Sequence, residues 1–128
     1  MTAAHVRSVT PGDLEAWVRM RTALWPDCTP DQHESESREI LSGADAAVFL
    51  AITDSSKPAG FLEASIRPCD HDGMRGRIGY IEGWYVVPEF RSRGMGRALV
   101  AAAEAWAAAS GCLVVGSDNA ARNGVRHA

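Results

Sequence analysis

The spacing of apolar residues changes period several times along the chain, and each change marks an element. His5 to Val9 alternates and predicts a short strand. Thr10-Pro11 then reads as a helix start, with Thr as N-cap, Pro at the first helical position and Asp13 in the first turn. Leu14, Trp17, Val18, Leu24 and Trp25 share one face of that helix, and Pro26 stops it. A second start follows at Thr29-Pro30, where Gln32 completes a capping box, and this helix runs to about Gly43.

From Ala46 the pattern is that of strands. Ala46–Thr53 (AAVFLAIT) is an apolar run, Asp54–Pro58 is turn chemistry, and Ala59–Arg67 is a second strand, which makes the pair a hairpin. Asp70–Gly76 reads as a polar loop. Arg77–Val87 is the longest strand candidate, with Gly83 marking a bulge or a close backbone approach. Gly94–Ser110 is a helix closed by Gly111, Cys112–Gly116 is a buried parallel strand, and a further helix opens at Asn119. The order β-α-α-β-β-β-α-β-α predicts one α/β domain over residues 1–128, built on a mixed central sheet.

Charge narrows the possible partners. The formal net charge of −3 disfavours nucleic acid, which needs a basic face. Asp27, Asp31, Glu34, Glu36 and Glu39 gather on and before the second helix. They form either a solvated helix face or one lip of a pocket for a polycation. Cys28, Cys69 and Cys112 are scattered without the spacing of a disulfide framework or a zinc site, and His5, His33, His71 and His127 show none for a metal or a triad. No apolar run is long enough to cross a membrane and the start shows no signal-peptide pattern, so a cytoplasmic location is expected.

The stretch Tyr80–Arg97 (YIEGWYVVPEFRSRGMGR) carries the chemistry. A strand ends at Pro88, and the loop Arg91-Ser92-Arg93-Gly94-Met95-Gly96 opens a helix. The first amides of a helix lack intrahelical partners and carry the positive end of the dipole. Glycines let that backbone approach a bulky anion, and Arg91, Arg93 and Arg97 add charge, which suits a pyrophosphate. Neither GxxxxGK[ST] nor GxGxxG is present. Glu82 interrupts an apolar strand, where a carboxylate without a partner is costly. Asp118 follows a buried strand at its C-terminal end, the usual ligand edge of an α/β sheet. Glu63 reads as a solvated strand position.

Arg91-x-x-Gly94-x-Gly96 after Val86-Val87-Pro88 resembles the acetyl-CoA pyrophosphate loop of the GNAT N-acetyltransferases. Leu24-Trp25, Leu62–Arg67 (LEASIR), Glu82–Val86 (EGWYV), and Ser117-Asp118 with Asn123 look like the aminoglycoside 6′-N-acetyltransferases within that superfamily. The resemblance implies the GNAT (acyl-CoA N-acyltransferase) fold and acetyl transfer from acetyl-CoA to an aminoglycoside amine, hence antibiotic resistance, with no metal. It implies that Trp84, Tyr85 and Val86 pair with the pantetheine arm, that Ser92, Arg93, Gly94, Met95, Gly96 and Arg97 hold the pyrophosphate, and that Asn123 contacts the coenzyme. It also implies that Trp25, Glu82 and Asp118 bind the substrate, a polycation suited to carboxylates and an indole. Glu82 is the candidate base, acting through water, and a backbone N–H near Val86 the candidate oxyanion donor. A homodimer is expected on the same ground.

Two departures accompany the resemblance. A substrate-touching tyrosine often follows the third strand in the family; here the region reads Pro68-Cys69-Asp70-His71-Asp72, leaving Asp70 to serve a cation. The family also continues past the position of Ala128 with two more strands, so a C-terminally truncated fold is expected. Acetyl transfer to another amine, such as a polyamine or peptide, and a coenzyme-binding module with little catalysis are the alternatives.

Overall fold

The computed structural model describes residues 5–71, 74–112 and 115–117. Strand β1 (His5–Ser8) leads through a 3-10 turn into helix α1 (Leu14–Leu24), and helix α2 (Pro30–Ser42) follows. Strands β2 (Ala46–Ile52), β3 (Pro58–His71) and β4 (Met74–Val86), helix α3 (Met95–Ala109) and strand β5 (Val115–Ser117) complete the described chain. The five strands lie in sequence order, antiparallel except for β4 and β5, which run parallel. The expected mixed α/β sheet is the one observed.

Local chemistry explains most element ends. Thr10 and Asp13 cap the 3-10 turn reciprocally, and Asp13 also takes a bidentate pair from Arg7 at 2.7 and 2.9 Å, which ties β1 to α1. Thr29 and Gln32 form the predicted capping box, at 2.8 and 3.1 Å. One prediction fails: Asp70–Gly76 is not a loop. The strands run on, pairing Cys69 with Gly76, Asp70 with Arg75 and His71 with Met74. Cross-strand hydrogen bonding overrides the turn-like composition of that segment.

The sheet has a core on each face. On one, Leu62, Ala64, Ile81 and Val86 pack under Met95, Leu99 and Ala103 of α3. On the other, Val48, Leu50, Phe61 and Tyr85 pack under Trp17 and Met20 of α1, with Ile40 and Leu41 of α2 beside them. Alternation along β3 and β4 assigns each residue to a face; apart from a register shift against β2 at the start of β3, it breaks at one place.

Candidate functional site

The break is a β-bulge. Glu63 pairs with Gly83 and the next residue, Ala64, with Ile81, so Glu82 is the extra residue on β4. Ile81 and Trp84 belong to the α3 face. The two residues between them, Glu82 and Gly83, therefore both turn toward α1 and α2. A Cβ on Gly83 would lie 2.2 Å from the Trp25 indole, so only glycine leaves room for that ring. The predicted close approach at Gly83 is real, and Trp25 is its cause. Trp25 itself caps α1 rather than completing its helical face, and it packs on Phe61 and His33 with ring centroids 6.2 and 6.4 Å apart.

Around this point lies a cavity of about 470 Å³, lined by Trp25 and Arg21 from the α1 end, Glu36 and Glu39 of α2, Glu63 of β3 and Glu82 of β4, among others. Two members of the acidic cluster on α2 are thus a pocket wall. Glu82 accepts from the Ser65 hydroxyl and from Arg67 Nη2, the latter at 2.7 and 2.8 Å, so the carboxylate expected to stand alone in an apolar strand is held by two neighbours on β3.

Glu63, expected in solvent, is 4% exposed. It accepts from Trp17 Nε1 at 2.8 Å and from Arg21 Nη1 at 3.0 Å. Burial pushes its carboxyl up to about 7, against the pull of Arg21 and of the Trp17 N–H, with Glu36 and Glu82 raising it further. Arg21 also donates to Glu36 and, through Nε, to His33 Nδ1 at 3.2 Å, and its guanidinium lies 5.0 Å from the Trp25 ring. His33 Nε2 lies 3.0 Å from the Trp25 carbonyl. A carbonyl only accepts and Arg Nε only donates, so the hydrogen sits on Nε2. The pocket floor is thus a buried polar network joining α1, α2 and β3.

The predicted anion loop lies at the other end of β4. Gly94 caps α3 in the left-handed region (φ 84°), and Ser92 shares that conformation (φ 65°). The first helical bond of α3 runs from Ala98 N–H to Gly94 O at 3.0 Å, so the amides of Met95, Gly96 and Arg97 precede the ladder and face outward along the axis. Arg91 does not lie free beside them: its Nε donates to Val86 O at 2.8 Å and its guanidinium is 5.5 Å from the Tyr85 ring. Arg93 and Arg97 are exposed. A second cleft, about 330 Å³, lies between the end of α1 and Tyr85 with Arg91. Among the described residues β5 pairs with β4 at Gly79–Ile81, and none of them pairs with the edge of Glu82–Val86 that faces away from β3. An extended chain could add to that edge.

The structure thus brings Trp25 and Glu82 together in one pocket and places Trp84, Tyr85 and Val86 between that pocket and the Ser92–Arg97 loop. Asp70 stands far along β3, opposite Arg75. Asp118 and Asn123, with the helix expected from Asn119, lie outside the described residues. Arg21, His33 and Glu63 line the pocket and Arg67 pairs with Glu82 beside it, and sequence reasoning picked out none of the four. No group of His, Cys, Asp or Glu among the described residues is arranged to hold a metal ion, and no helix there is long and apolar enough to cross a membrane.

Known proteins share this arrangement. The acetyltransferase (GNAT) family model matches residues 14–125. An aminoglycoside N(6′)-acetyltransferase type 1 of Klebsiella aerogenes is 45% identical over 121 residues, covering 92% of this chain and 80% of its own. The protein of the same name from Stenotrophomonas maltophilia is 38% identical, covering 99% and 82%. Among solved structures, the aminoglycoside N-acetyltransferase AAC(6′)-Iy in complex with CoA superposes with a TM-score of 0.86 at 32% identity, covering 98% of this chain and 83% of that one. With fold, loop and matched span in agreement, the chain belongs to the GNAT acetyltransferase family.

Proposed function

We propose that the protein transfers the acetyl group of acetyl-CoA to the 6′-amine of aminoglycosides, and so confers resistance to them. The observation that carries this reading is the join at the bulge. A pocket with four carboxylates and an indole abuts a strand edge that leads directly to an anion-gripping helix start. The relatives support it, being named for this reaction, and one was solved with a bisubstrate analogue joining CoA to acetylneamine.

Each residue then has a task. Ser92 to Arg97 hold the coenzyme's pyrophosphate with backbone amides and two arginines. Trp84, Tyr85 and Val86 pair with its pantetheine arm, which directs the thioester toward Glu82. Glu36, Glu39 and Glu82 pair with substrate ammoniums, and Trp25 covers a sugar face. The reacting amine must lose a proton before it attacks the thioester carbonyl, and Glu82 accepts it through water. The backbone N–H at Val86 stabilises the developing oxyanion. Asp118 as a further ammonium partner, Asn123 on the coenzyme, a single catalytic domain, a cytoplasmic site of action and a homodimer belong to the same proposal, whereas Asp70, far along β3, drops out of it.

Thiol release with kanamycin and with spermidine tests the substrate class. Turnover of spermidine alone would replace the aminoglycoside reading with acetylation of another amine. Glu82→Gln should lower kcat at saturating coenzyme by about 10²-fold or more, while calorimetry shows coenzyme A binding unchanged. An unaltered kcat would remove Glu82 from the chemistry.

A further inference from the structure

An ammonium brought to Glu82 meets a cation already there. Arg67 Nη2 reaches both carboxylate oxygens, and the guanidinium lies 3.7 Å from the centroid of the Tyr80 ring. Two of the arginine–glutamate pairs here, Arg21–Glu63 and Arg67–Glu82, have opposite character. Arg21 and Glu63 expose only 5% of each side chain, whereas Arg67 exposes 48% and Glu82 34%. Opening the first pair would strand a charge in the interior. The second is solvated and screened, so its cation can be exchanged at small cost.

We infer that Arg67 is a specificity-determining residue: an internal cation on Glu82 that a substrate ammonium has to displace. The inference rests on the reading of Glu82 as the amine-binding carboxylate. A substrate with one ammonium exchanges one cation for another at Glu82 and gains little. A substrate with several also reaches Glu39, which lines the same pocket, and recovers the difference there. Arg67 thereby sets a charge threshold that favours polyamines over monoamines. Ser65, which donates to Glu82, keeps the carboxylate oriented while the guanidinium moves aside, and the Tyr80 ring gives that guanidinium a resting surface.

The test compares Arg67→Met with the unaltered protein on a polyaminated aminoglycoside and on an aminosugar carrying only the 6′-amine. The KM for the monoamine should fall on the order of three- to fivefold, and that for the polyamine less, so discrimination narrows. Pairing Arg67→Met with Glu82→Gln should abolish the gain. Arg67→Gln serves equally if the methionine variant does not fold. If Glu82→Gln impairs amine turnover but neither Arg67 variant lowers the monoamine KM, the inference is wrong and the reading of Glu82 survives. If Glu82→Gln changes neither KM nor kcat, both fall.

Discussion

Glu63 shows how one residue couples the pocket to stability. Its carboxyl titrates near 7 in the folded chain against an ordinary 4.5, because burial disfavours the charge. A folded-state value above the unfolded one means that the folded chain holds the proton more tightly. The stability from this group is therefore full below about pH 4.5 and is lost as pH rises through 7. That interval corresponds to about 3 kcal/mol. Glu63→Gln keeps the shape without titrating, so its melting temperature should be lower overall yet flatter between pH 4.5 and 8. An equally steep curve would assign the titration elsewhere. The sequence held a clue to this site that was passed over. Arg21 lies four residues after Trp17, on the apolar stripe of α1, and an arginine in that position needs a buried carboxylate. Alternation in β3 puts Glu63 on the same face as Phe61, which made it the available partner. Gly83 was legible, since glycine inside a strand signals close approach. Gly83→Ala would drive Cβ into the Trp25 ring and should cost about 1–3 kcal/mol, with weaker amine binding seen by calorimetry.

At the scale of elements, helix starts were the most legible features. Thr10-Pro11 and Thr29-Pro30 are self-contained chemical signals, and both caps are present. The hairpin end of β3 and β4 was not legible, because Pro68, two aspartates and two glycines read locally as a turn while pairing is a property of two segments together. The glycine-opened start of α3 was legible as a helix N-terminus, and the backbone shows why. Gly94 has φ 84° and no atom within 4 Å of where a Cβ would stand, so Gly94→Ala tests conformation without a clash. It should cost about 1–2 kcal/mol and raise the coenzyme A dissociation constant severalfold, leaving amine affinity alone. A shift in amine affinity instead would mean that loop and pocket are not separate.

For the whole molecule, the two faces of the sheet divide the labour. The α3 face is apolar core, and the α1/α2 face combines core with a pocket walled by carboxylates. A chain of net charge −3 whose negative potential is focused in one cleft should attract polycations by long-range forces. Raising salt from about 0.05 to 0.5 M shortens the screening length to a few ångströms. The KM for a polycationic substrate should then rise severalfold while kcat holds, and the KM for acetyl-CoA should respond differently because the loop proposed to hold it carries the exposed Arg93 and Arg97.

The extra residue on β4 also sets how this chain can change over time. It acts as a half-step in the strand's rhythm, setting two successive residues, Glu82 and Gly83, on one surface. Deleting Glu82 would restore strict alternation and leave Trp84 and Tyr85 on their own surfaces, so the cleft would lose a carboxylate while the packing under α3 kept its register. Loss of this one residue should therefore be felt at the pocket and not in the core, so the strand can shed the Glu82 carboxylate without repacking its neighbours.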